Sequence, residues 1–183
     1  MFEDLRIICW PDPRLLRKSE AVESFDENLR ALAARMLELM RQAKGVGLAA
    51  PQVGHNIRLF VMNSTAEPGK ERIYVNPVLV DPDGEEEGEE GCLSLPGINV
   101  KVVRNKLITL EAKDISGKPL QQRESGYVAR IWQHEFDHLN GTLLTDRMGP
   151  AAKLTNRKTL DDLRVRYQAE HPKALPAGKK SRR

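Results

Sequence analysis

Cysteine is scarce: Cys9 and Cys92 are the two in 183 residues. In a reducing compartment no structural disulfide is expected, so either thiol is free for metal or redox work, or both are simply buried. Long apolar runs are missing too, and none approaches the length that crosses a bilayer. The opening Met1-Phe2-Glu3-Asp4 carries acids and lacks a basic stretch followed by an apolar one. That argues against a secretory signal and against a transit peptide. A cytoplasmic protein without membrane contact is the expectation. No internal repeat is present.

An excess of one charge is absent from most of the chain. The net charge is +3, yet His171–Arg183 alone holds five Lys/Arg and no acids. The remainder carries 24 basic and 26 acidic residues, so the positive charge belongs to the tail and not to a nucleic-acid-binding body. Residues 81–90 hold seven acids and read as a solvated loop, without the ordered ligand spacing of a calcium site. The length suits one domain with a real core, residues 1–171, followed by a basic, disordered tail, residues 172–183.

Hydrophobic patterning supplies the elements. Leu5–Trp10 reads as a short strand ended by Pro11-Asp12-Pro13. Ser24 and Glu27 match a capping box, and a helix follows to about Ala43. Its apolar face is Leu29, Leu32, Ala33, Met36, Leu39 and Met40. Gly45–Gly54 reads as a tight turn of small residues; it lacks the lysine and spacing of a phosphate loop. Ile57–Asn63 and Arg72–Val80 read as strands, as do Asn99–Arg104 and Lys106–Lys113. Asp114–Gly117 is a turn, and a C-terminal helix runs from Ala151 to about Glu170. These pieces predict an α+β fold, with a mixed or antiparallel sheet wrapped around one central helix.

That central helix carries His134-Glu135-Phe136-Asp137-His138, an H-E-x-x-H pattern. On a helix His134 and His138 share a face and can hold one metal ion. Glu135 is turned by about 100° from His134, toward the ion's open side. Tyr127, Ile131, His134 and His138 fall on one face, and Gly141 is a suitable stop. A catalytic site of this kind needs a third ligand and an open position. The candidates are the acids, His55, His171, Cys9 and Cys92; Cys92 stands out because Gly91 and Pro96 shape a sharp loop around it. A buried helix with core histidines is the alternative that other segments must exclude.

Three segments together resemble the peptide deformylase family. Gly45–Gln52 matches its G-x-G-x-A-A-x-Q motif, Glu90–Ser94 its E-G-C-L-S motif, and Gln133–Gly141 its Q-H-E-x-D-H-L-x-G motif. All three occur in the family's order, and the resemblance covers about Leu5 to Met148. It implies that Cys92, His134 and His138 bind one divalent ion, iron(II) natively, with nickel, cobalt or zinc able to substitute. It implies that metal-bound hydroxide attacks the formyl carbon of an N-formyl-methionyl nascent peptide, with Glu135 as general base and acid. Gln52 and the Leu93 N–H would bind the formyl oxygen, and Glu90 would pair with Arg104, although Val103 stands where the family has proline. Val46, Gly47, Tyr127 and Ile131 are the candidates for the methionine pocket. Arg130 is expected to be structural, and Asp137 to orient a neighbour. The basic tail is a candidate contact with ribosomal RNA. A zinc endopeptidase sharing only H-E-x-x-H is the competing class, as is a non-catalytic relative that binds nascent chains.

Overall fold

The apolar stripe at helical spacing forms α1 (Glu27–Gln42), and all six of its named residues are buried. The cap is Asp26, whose side chain accepts from the Leu29 N–H at 3.0 Å, rather than Ser24. Asp26 lies within reach of the free amides of the first turn, which makes Glu27 the first helical residue instead of the third. The computed structural model describes residues 2–172; the expectation for the basic tail lies outside the described residues apart from Pro172.

Five strands follow among the described residues: β1 (Gly47–Ala49), β2 (Leu59–Met62), β3 (Arg72–Gly91), β4 (Asn99–Lys113) and β5 (Pro119–Ser125). They form one sheet in sequence order, and every pair is antiparallel. α2 (Gly126–Leu139) carries the two histidines and packs against all five strands. The fold is α+β, as expected.

β2 shows how the layers arise. Leu59 and Val61 pack with the stripe of α1, while Phe60 and Met62 pack with Ile131 and Trp132 of α2. Alternate residues of a strand point to opposite faces, so a strand covered on both sides must be apolar throughout. All four residues of β2 are buried.

Several expectations need correction. Leu5–Trp10 is extended but forms no ladder; it lies across two segments, with Ile8 N–H bonded to Gln52 O and Trp10 N–H to Ser94 O. The Gly45–Gly54 turn contains β1 and a 3-10 turn, Ala50–Val53. The acidic run is strand, not loop. It continues β3 to Gly91 past two register shifts, near Asn76 and Asp81, both with positive φ. Bulges there let one long strand bend around α2.

Asn99–Lys113 is one continuous strand rather than two. Leu107 is the first β4 residue paired with β5, which leaves the outer edge of Asn105 bare. The Gln133 side chain fills that edge: its Oε1 accepts from Asn105 N–H at 2.9 Å, and its Nε2 donates to Asn105 O at 2.9 Å. After α2 come α3 (Leu144–Arg147), α4 (Pro150–Thr155) and α5 (Arg157–Glu170). The single C-terminal helix expected from Ala151 is therefore broken at Asn156. Leu163 of α5 packs with Leu95, Ile98 and Met148 against the loop that follows Cys92. Among the described residues no helix is long and apolar enough to cross a membrane.

Candidate metal centre

Three segments converge on one place. The 3-10 turn after β1 carries Gln52, the end of β3 leads into Cys92 and Leu93, and α2 supplies His134, Glu135 and His138. The donor atoms of Cys92, His134 and His138 all lie within 4.8 Å of one another. Cys92 Sγ is 3.4 Å from His138 Nε2. Beside them opens a cavity of about 430 Å³ whose lining includes Gly45, Val46, Gly47, Leu93, Tyr127 and Ile131. Ile131 is buried in the wall, whereas Tyr127 is 55% exposed and stands at the rim.

An ion pair network orients the candidate donors. Glu90 accepts from Arg104 Nε and Nη2, each at 2.9 Å, from Arg130 Nη1 at 2.9 Å and from His134 Nδ1 at 3.0 Å. Burial pushes the Glu90 carboxyl up, but the bonds from Arg104 and His134 outweigh it and bring it down to about 2. An ionised carboxylate can only accept, so Nδ1 of His134 carries the proton and its Nε2 lone pair is left for the site. Arg104 also reaches Asp137 Oδ2 at 2.6 Å, and Arg147 of α3 holds the same carboxylate. Arg130 bonds Val102 O and Glu86 O, so it fixes β3 and β4 onto α2.

The residues present suit a cation. Burial pushes His138 well below the ordinary histidine value, so its ring is neutral near pH 7 and offers a lone pair. Burial lowers His134 also, but its bonds to Cys92 and Glu90 raise it well above that value, so a proton and a cation compete for this nitrogen. One thiolate and two imidazoles form a donor set for a borderline first-row divalent ion. Glu135 is 3% exposed, and its Oε2 is buried with no hydrogen-bond partner among the described residues. Burial pushes its carboxyl up to about 7, where it can both take and give a proton.

Gln52 and Leu93 also line the cavity. Gln52 Oε1 accepts from Ala49 N–H at 2.8 Å, and its Nε2 faces Cys92 Sγ at 3.7 Å. The Leu93 side chain rests on Gly45, where a Cβ would stand 2.6 Å from its Cδ1.

The chain from residue 4 to 154 matches the family model for polypeptide deformylase. It belongs to the polypeptide deformylase family. The peptide deformylase of Thermotoga maritima is 45% identical over 159 residues, covering 86% of this chain and 95% of that protein. The solved structure of Arabidopsis thaliana peptide deformylase 1B superposes with a TM-score of 0.88 at 39% identity, over 97% of this chain and 98% of that one. That of the Plasmodium falciparum enzyme gives 0.88 at 40%, over 91% and 99%. This deformylase is thus a metal-dependent hydrolase that removes N-formyl groups from nascent peptides.

Of the candidates for a third donor, Cys92 stands with His134 and His138, whereas Cys9 and His171 line a separate cleft and His55 a third one. Two residues that were given no role in the sequence also touch the deformylase site. Ser94 accepts from Gln52 Nε2 at 3.2 Å; its place in E-G-C-L-S was the available signal. Arg147 has no local signal, since it reaches Asp137 from a separate helix.

Proposed function

We propose that Cys92, His134 and His138 hold the divalent ion, and that Glu135, Gln52 and the Leu93 N–H carry out the hydrolysis of formyl-methionyl peptides. The observation that carries this reading is the convergence of three donor atoms within 4.8 Å beside a buried carboxyl. The donor set favours first-row ions, and the motif resemblance favours iron(II), with nickel, cobalt or zinc able to replace it.

When bound, the ion polarises the formyl carbonyl and acidifies water beside it. Glu135 accepts the proton of the attacking water and returns it to the nitrogen that leaves as the new amino terminus. Formate is the other product. As charge grows on the formyl oxygen, the Gln52 amide and the Leu93 N–H donate to it, each such donor being worth about 2.7–4 kcal/mol. Val46, Tyr127 and Ile131 provide the apolar wall for the methionine side chain, and Gly47 leaves room for the Glu135 carboxylate. Glu90 and Arg104 keep His134 in one tautomer.

The test is anaerobic purification, metal analysis and a formate-release assay on a formyl-methionyl peptide. Cys92→Ser should lose both metal and activity. A variant that kept both would favour an endopeptidase built on H-E-x-x-H alone.

Residues 1–171 act as one catalytic unit in the cytoplasm, and the basic tail, residues 172–183, contacts ribosomal RNA through phosphate charge. Its five cations without an acid support that contact. Deleting 172–183 should weaken ribosome binding and flatten its salt dependence; unchanged binding would end the idea.

A further inference from the structure

The Gln52 amide is committed at one end. Its Oε1 accepts from the Ala49 N–H, and a backbone N–H can only donate, so the carbonyl end cannot turn toward the cavity. Nε2 therefore faces the Cys92 loop with two hydrogens to place. Ser94 Oγ lies at 3.2 Å and Cys92 Sγ at 3.7 Å. Ser94 is 0% exposed, so bulk water does not compete for its bond to Gln52, whereas the longer contact to sulfur, a weak acceptor, is the one an incoming carbonyl oxygen would replace.

The two backbones are also tied together. The Ile8 N–H donates to Gln52 O at 2.8 Å, and the Trp10 N–H donates to Ser94 O at 2.9 Å. One extended segment, with only Cys9 between the two donors, thus sets the spacing of Gln52 and Ser94. The Gln52–Ser94 side-chain bond bridges two segments that are already in register.

We infer that Ser94 is a positioning residue for the reaction: its Oγ holds one Gln52 N–H so that the other is aimed at the formyl oxygen. This rests on the reading of Gln52 as a donor to that oxygen. Without Ser94 the Ala49 bond still restrains the amide, so the donor is misaligned and not removed. The expected loss is then smaller than the roughly 10²–10³-fold cost in kcat of deleting such a donor.

A double-mutant cycle on the metal-loaded full chain tests this. Ser94→Ala should lower kcat about tenfold with KM changed less than about twofold, at unaltered metal content. Gln52→Ala should lower kcat by about 10²–10³-fold. In that background Ser94→Ala should change kcat by less than about twofold, because its target is gone. If Ser94→Ala lowers kcat by the same factor in both backgrounds, it acts through packing or folding and the inference is overturned. Full kcat in Ser94→Ala overturns it as well. A Gln52→Ala enzyme with full kcat instead removes the donor reading, and the inference falls with it.

Discussion

Replacing Gly47 by alanine should separate Glu135 from the rest of the site. A Cβ at position 47 would stand 2.8 Å from Glu135 Cδ and 3.0 Å from its Cγ, and closer still to Oε1. Ordinary van der Waals contact begins near 3.4 Å. The carboxylate must therefore move by at least about 0.6 Å, and its nearer oxygen by more, a displacement of the 1 Å class that costs about 10²-fold. That equals about 2.7 kcal/mol of transition-state stabilisation. The atom that yields is the end of a side chain, and Gly47 has no positive φ, so the strand itself is not strained. Losing a glycine also trims the unfolded ensemble, which favours folding by about 0.4–1 kcal/mol. The expected enzyme has normal metal content, a melting temperature near that of the wild type, a KM close to normal and a kcat about 10²-fold lower. Formate release, metal analysis and thermal unfolding on the same preparation read all four. A Gly47→Ala enzyme with unchanged kcat would refute the reasoning, and so would one that lost its metal.

Three further outcomes follow from other contacts. Glu90→Gln removes the buried charge shared by Arg104, Arg130 and His134, and should destabilise the fold by about 3–5 kcal/mol in denaturant unfolding. Gln133→Leu strips the partners from the Asn105 N–H and C=O, and should cost about 1–3 kcal/mol by the same measurement. Burial pushes the Asp12 carboxyl up, but the bonds and charge of Arg14 outweigh it and hold it below its ordinary 3.8. A lowered folded-state value stabilises the protein fully above the unfolded value and loses that stability as pH falls through the folded one. Wild type should therefore lose stability more steeply than Asp12→Asn below about pH 4, and parallel acid-unfolding curves would contradict this.

The legible parts of the fold were those governed by local spacing. The stripe of α1 and the shared face of His134 and His138 depend on helical periodicity within a few residues. The acidic strand was illegible for a definite reason. Its one buried side chain past Asp81 is Glu90, which meets the guanidinium groups of Arg104 and Arg130 in place of an apolar core, and Arg130 fills the space beside Gly88. No alternation of apolar and polar residues marks such a strand, although its ladder with β4 is continuous from Glu85 to Gly91. The missed cap at Asp26 and the break at Asn156 are end effects, decided by which of several competing groups reaches the free backbone first.

Sequence alone determined the family, the helix that presents two imidazoles and a carboxyl, and the chemistry those groups can perform, because each depends on residues close together in the chain or on motifs in order. Only the tertiary structure decided which atoms are neighbours across it. Cys92 and His138, Glu90 and His134, and Gln52 and Ser94 stand 46, 44 and 42 positions apart in the chain. Contacts at that range are fixed by how the sheet bends around α2, and no local pattern of residues encodes that bend.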